Sequence, residues 1–456
     1  MKRRNLSALG AWLLALGFVL QLGTPSLAQG QSLTDEVRSR QLALMRAIPQ
    51  GIIVLPAQSE AKDMEQPAWI QEPIFYYFTS LATAPGAILV LDAPKERVLL
   101  FAGNVPESFG VPLDDLHVLN RSDWAEQSGV SAVLPFSAFK SYIQTRLNDG
   151  VDTLYLDEPR RSEPNEVPDG MLHVAGFHRL WRQSLESTFP EATIASAAPA
   201  IDALIWVKSA REIDQLRKNA AATAAALRAG MQRIQPGISQ RIAEAAVVSA
   251  CFEEGMDGPS FWPWVMTGPN AHIRQVVKSF YSNTHLNKPY ENGELVRVDV
   301  GCFASGYGGD VGRTVPVSGT FSSEQAIVWD ALIAGYQAGI RSMKDGAALE
   351  DITRAAQEGL KAWSTLHPEA KDVTSLMTGP DGVAWHIHGV GIESAETALP
   401  ILREGTVIAF EPMFSLEKDA YYLEDMILIT KNGAEILSEG LPYDADAMHT
   451  FLARNR

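Results

Sequence analysis

Two periodicities alternate along the C-terminal half of this chain, and together they predict helix pairs interleaved with hairpins. From Ile213, the apolar positions Leu216, Ala220, Leu227, Met231 and Ile234 recur at helical spacing behind a Ser209–Glu212 capping box. Pro236-Gly237 ends this helix, and Ser239 caps a second one running to Gly255. Ser322 with Gln325 opens a third, carrying Ile327, Leu332, Tyr336 and Ile340, and Leu349, Ile352, Leu360 and Trp363 mark a fourth. Between these pairs the period drops to two. Runs from Glu294 to Val300 and from Val311 to Val317 flank a glycine-rich turn. Val296, Val298 and Val300 share one face, and Leu295, Arg297 and Asp299 the other. VIAFEP and YYLEDMILIT form a second such pair. The pattern indicates an α+β domain in which helices back a curved antiparallel sheet.

Residues 29–205 mix shorter patterns. AILVLDAPKERVLLFAG reads as a hairpin turning at Asp92–Glu96, TLYLDEP as a strand and SEPNEVPDG as a surface loop. A length of 456 residues suits two domains, and 46% hydrophobic with 20% charged residues is a globular composition. Residues 1–28 read as a secretory signal: a basic start at Lys2, Arg3 and Arg4, a short apolar stretch, Pro25, then a small-x-small site at Ser26-Leu27-Ala28 before Gln29. The domain boundaries expected are therefore 1–28, 29–205 and 206–456, with the mature protein periplasmic or secreted. No other apolar stretch is long enough for a bilayer span.

The formal charge is −16, and losing the three positive charges of the signal takes it to −19. That balance repels a phosphate backbone and argues against a nucleic-acid partner. Cys251 falls in the second helix and Cys302 beside the first hairpin; the expectation is two buried free thiols. Neither has a basic neighbour in sequence, so neither reads as a nucleophile.

The candidate chemistry lies in the hairpins. Placing Asp299 opposite Asp310 centres the first turn between Ala304 and Ser305. Placing Glu411 opposite Glu424 centres the second between Glu417 and Lys418. Each hairpin then presents a carboxylate pair, and His388 lies on a separate HIHGVG segment. Four carboxylates gathered together repel, and divalent cations are the usual remedy. The oxygen-rich set suits Mn²⁺ first, with Co²⁺, Fe²⁺ or Zn²⁺ as substitutes.

The order and flanks of these residues (VKSAREIDQLRKN, TGPN, the aspartate hairpin ending in Arg313-Thr314, HGVGIE, FEPM and LED) resemble the metallopeptidase family of methionine aminopeptidase, aminopeptidase P, prolidase and creatinase. The aminopeptidase P-like members are the most similar. The resemblance runs from Val207 to the C-terminus and more loosely through the preceding domain. It implies a pita-bread catalytic domain of two pseudo-symmetric halves, preceded by a smaller α/β creatinase-type domain that helps form a homodimer. It also implies two divalent ions per subunit, bridged by Asp310 and Glu424. Asp299 would complete one ion's shell, and His388 with Glu411 the other's. Glu411 would accept a proton during hydrolysis.

The resemblance thus implies a metallo-exopeptidase cleaving short peptides at Xaa-Pro bonds, and the signal makes it an exported one. Three positions depart from the family. Its second histidine, seven residues after the ligand, is Ala395 here; the histidine before the first aspartate is Ser282; the arginine two residues before the last ligand is Tyr422. His386, His285 and His272 are the available replacements, and His386 shares a strand face with His388 if that segment is extended. Trp262 and Trp264, with Tyr422, are candidates to wall a substrate cleft, or else to fill core. Two other functions compete: a metal-binding homologue that holds a peptide or protein without cleaving it, and a creatinase-like hydrolase of small C–N substrates.

Overall fold

The computed structural model describes residues 32–58, 71–103, 123–158, 177–272 and 287–455. The expected signal, the 162–170 loop, Ser282 and His285 lie outside the described residues. The chain divides into two compact units, Met1–Ile205 and Trp206–Arg456.

In the first unit, β1 (Ile52–Pro56), β2 (Ile88–Asp92), β3 (Arg97–Ala102), β4 (Ala132–Pro135), β5 (Thr153–Leu156) and β6 (Thr193–Ser196) form one sheet in the order β4-β3-β2-β1-β5-β6. The β1–β2 and β2–β3 pairs are antiparallel, and the remaining pairs are parallel. Ile52, Val54, Val90, Leu99 and Phe101 pack with Phe139, Ile143 and Phe189 into its core. The β2–β3 hairpin turns at Asp92–Glu96, where Glu96 takes the left-handed conformation (φ 49°). Buried Asp92 accepts hydrogen bonds from Tyr142 and Arg146.

The second unit repeats one plan. Helices α1 (Ala210–Gln232) and α2 (Gln240–Glu253) accompany β7 (Gly258–Pro259), β8 (Trp264–Thr267), β9 (Leu295–Val300), β10 (Cys302–Phe303) and β11 (Val311–Pro316). Helices α3 (Ser323–Ser342) and α4 (Leu349–Leu366) accompany β12 (Ala384–Gly389), β13 (Val407–Leu416), β14 (Asp419–Tyr422), β15 (Asp425–Thr430) and β16 (Gly433–Ile436). The first half pairs in the order β11-β9-β8, the second β12-β13-β15-β16 with β14 also on β13. Both capping boxes form, at Ser209–Glu212 and Ser322–Gln325. The α+β architecture expected from the pattern is present.

Two expectations need correction. Asp299 faces Gly312 rather than Asp310, so the first hairpin is displaced by two residues. The cause is β10, which leaves the hairpin to pair with β7 while Ala304 and Tyr307 close a separate turn. Because side chains alternate with period two, a two-residue slip keeps the strand's face, whereas a slip of one would have reversed it. The cysteines also differ from expectation. Cys251 and Cys302 form a disulfide with Cα atoms 5.5 Å apart, because α2 packs directly over the strand end carrying Cys302.

Candidate metal centre

Strand register assembles the second half of the centre. In the β12–β13 ladder His386 lies opposite Glu411, and His388 follows on the same face. The β13–β14 and β13–β15 ladders share one register through a turn at Glu417–Lys418, which sets Glu424 level with Glu411. Gly312 and Glu424 then exchange both main-chain hydrogen bonds, at 3.1 and 3.0 Å, and so join the two halves.

Fully buried Arg313 locks that junction. It donates to the carbonyls of Gly312 and Glu424, both at 2.7 Å, and to Asp425 Oδ1 at 2.9 Å. Asp425 also accepts from Tyr336, Ser438 and Tyr443. The cluster is thus held from behind by a satisfied polar network.

His388 Nε2 lies 3.8 Å from Asp310 Oδ2, 3.4 Å from Glu411 Oε1 and 3.6 Å from Glu424 Oε1. Its Nδ1 is 2.9 Å from the Gly389 carbonyl, which orients the ring and leaves Nε2 toward the carboxylates. Asp310 Oδ1 and Glu424 Oε1 are buried with no hydrogen-bond partner among the described residues. Donor atoms of Asp310, His388 and Glu424 lie within 4.8 Å of one another, as do those of His386, His388 and Glu411.

Asp299 belongs to neither trio. Its Oδ2 accepts from Arg297 Nη2 at 2.8 Å. The Arg297 guanidinium lies 3.9 Å from the Tyr422 ring centroid and 5.1 Å from that of Trp264. The Tyr422 hydroxyl sits 2.6 Å from Glu424 Oε2 and 3.0 Å from Glu411 Oε2.

The charges of this cluster titrate unevenly. Burial pushes Asp299 up to about 7; Arg297 opposes the shift, and repulsion from Glu424 and Glu411 adds to it. Burial also raises Asp310 well above its usual range, helped by Glu424 and Asp299. Burial opposes charge on His388, but the close carboxylates of Glu411, Glu424 and Asp310 raise it well above its ordinary value. Glu411 goes the other way: despite burial, hydrogen bonds with His386 and His388 hold it far below the usual carboxylate range.

The remaining candidates scatter. His386 is hydrogen-bonded through Nδ1 to Glu411 Oε1, with its side chain about half exposed. Trp264 pairs with Asp299 across β8–β9 and backs Arg297. Trp262 is exposed and donates from Nε1 to Glu244 of α2. His272 lies near Asp419, at the end of β14 away from the ligands. Sequence reasoning gives no role to Arg297 or Gly312. The available signal is that Arg297 precedes Asp299 by two residues on the same face.

Residues 214–431 match the model of Metallopeptidase family M24. The C-terminal unit belongs to this family. The Xaa-Pro aminopeptidase of Escherichia coli (strain K12) is 25% identical over 433 residues, covering 89% of this chain and 94% of that protein. Among solved structures, a putative aminopeptidase P from Bacillus anthracis superposes with a TM-score of 0.75 at 20% identity, covering 93% of this chain and 99% of that one. Proline aminopeptidase P II from Yersinia pestis gives 0.72 at 20% identity over 92% and 99%. The fold is the pita-bread fold with its preceding N-terminal domain.

The M24 residues fit one divalent ion well. Nε2 of His388 and the partnerless oxygens of Asp310 and Glu424 supply uncommitted ligand atoms, with Glu411 Oε1 beside them. A second ion fits poorly, because Asp299, which the resemblance gives to it alone, is held by Arg297, and an oxygen of Glu424, which it would share, is held by Tyr422.

Proposed function

We propose that this chain is an exported, metal-dependent exopeptidase that removes the N-terminal residue from short peptides, with Xaa-Pro bonds as its substrate class. The observation that carries this reading is the convergence of Asp310, His388, Glu411 and Glu424 in an M24 unit, with buried oxygens left for a cation. The Xaa-Pro aminopeptidase named above supports the substrate class, since it aligns over nearly its whole length. The basic, apolar and small-residue order of residues 1–28 supports export, as does the Cys251–Cys302 disulfide, which suits an oxidising compartment. A homodimer is the assembly this resemblance favours.

Mn²⁺ is the preferred occupant of so oxygen-rich a site, and when bound it would acidify a water and stabilise negative charge on a carbonyl oxygen. Glu411, kept ionised by its histidine partners, is the proton acceptor at Oε1. His386 Nδ1 touches that same oxygen from a half-exposed side chain, so it holds and orients the Glu411 carboxylate for that role.

The test is full-length protein with Mn²⁺ on a panel of dipeptides and Xaa-Pro tripeptides. Cleavage that stops on chelation supports the reading. His386→Ala should keep metal affinity and lose turnover by about 10²-fold or more. Metal binding without cleavage under Mn²⁺, Co²⁺, Fe²⁺ or Zn²⁺ would favour the binding-only function, toward which Ala395 points.

A further inference from the structure

We propose that this centre holds one divalent ion per chain, and that Tyr422 with Arg297 occupies the place of a second. The inference rests on the metal-binding reading above but concerns stoichiometry. The two donor trios of the centre share His388 and neither includes Asp299; His386 and Glu411 of one trio are hydrogen-bonded to each other, which leaves the uncommitted ligand atoms on Asp310, His388 and Glu424, within 4.8 Å of one another. Each carboxylate on the opposite side is already engaged. Tyr422 Oη lies within hydrogen-bond distance of Oε2 of both Glu424 and Glu411, and Glu424 is a carboxylate that a second ion beside Asp299 would share. Asp299, the third group on that side, is ion-paired with Arg297.

The phenol is fixed there. Tyr422 is 1% exposed, its ring lies under the Arg297 guanidinium, and its edge rests on Gly312, where any Cβ would collide with it. Thr314 Oγ1 bonds both the amide and the carbonyl of Tyr422, so its backbone cannot retreat. Arg297 is buried and ion-paired, and it supplies positive charge beside Asp299 without a metal. A cation entering would have to expel a buried phenol and compete with a buried guanidinium.

The measurement is equilibrium dialysis of metal-stripped full-length protein against Mn²⁺, with elemental analysis and electron paramagnetic resonance. Wild type should saturate at one ion per chain and give the spectrum of an isolated Mn²⁺. Asp299→Asn should change its affinity by less than about threefold, whereas His388→Ala should lose about 10–100-fold or more. The double variant Tyr422→Ala with Arg297→Met should gain a second ion and a spin-coupled signal. Two ions in wild type, or a spin-coupled wild-type spectrum, would overturn the proposal, as would loss of an ion in Asp299→Asn. Those wild-type readings stand even if the double variant fails to fold. No Mn²⁺ binding at all would instead remove the metal-site reading itself.

Discussion

The two halves of the catalytic unit bring acids to the same place by different means. In the second half a single register runs through β13, β14 and β15, and the ladder alone sets Glu411 beside Glu424. In the first half the ladder stops at Val300 and Val311, and Asp310 lies beyond it. Its position depends on what holds the glycine-rich loop: the disulfide at Cys302, Thr223 Oγ1 accepting from the Cys302 amide, and Ser260 Oγ accepting from the Gly309 amide. Backbone pairing tolerates changes in side chains, whereas a stapled loop does not. The charges diverge too, with Asp299 and Asp310 pushed up and Glu411 pulled down.

The largest break should come at the junction of the halves. Arg313→Met leaves Asp425 buried without its cation, and should cost about 3–5 kcal/mol in urea unfolding. If the loss is under about 1 kcal/mol, the halves do not depend on that pin.

The divergent charges give the next effect. Between pH 4 and 7 native Asp299 holds a proton that the unfolded chain has released, so unfolding free energy falls as pH rises through that window. His388, held charged when folded, acts in the same direction above its ordinary value. Glu411 acts oppositely: its contribution is present above the ordinary carboxylate range and lost as pH falls below it. Metal-free protein should therefore be most stable near pH 4 and weaker at pH 8. Asp299 accounts for up to about 4 kcal/mol of that decline, since each tenfold change in proton affinity is worth about 1.4 kcal/mol. Saturating Mn²⁺ should flatten it. Thermal melts with chelator and with Mn²⁺ check both, and a metal-free stability that rises from pH 5 to 8 would contradict the charge assignment.

Removing the staple comes third. The double variant Cys251→Ser with Cys302→Ser opens a link between residues 51 apart, at about 2–4 kcal/mol. Its Mn²⁺ affinity should fall as Asp310 loosens, while the β13–β15 pairing, followed by amide exchange, stays protected. Equal loss of protection in both halves would show that they do not differ in this way.

This contrast explains what can be read from the sequence. The second hairpin, its turn and the shared face of His386 and His388 follow from alternation and spacing, and all lie within one continuous ladder. Alternation misplaces the first hairpin by two residues because β10 pairs with β7, a partner no local pattern reveals. Similarly, the disulfide needs α2 placed over β10 before it can be seen. The period of two puts Arg297 on the correct face, but its pairing with Tyr422 spans both halves and has no signature along the chain.

The bridge between Gly312 and Glu424 also bears on the order of events during folding. The groups it brings together, such as Arg313 and Asp425, lie 112 residues apart, so closing that loop is entropically late and slow. Neither half alone contains His388, Asp310 and Glu424 together. The Asp310–His388–Glu424 trio is thus completed only once the two halves have docked.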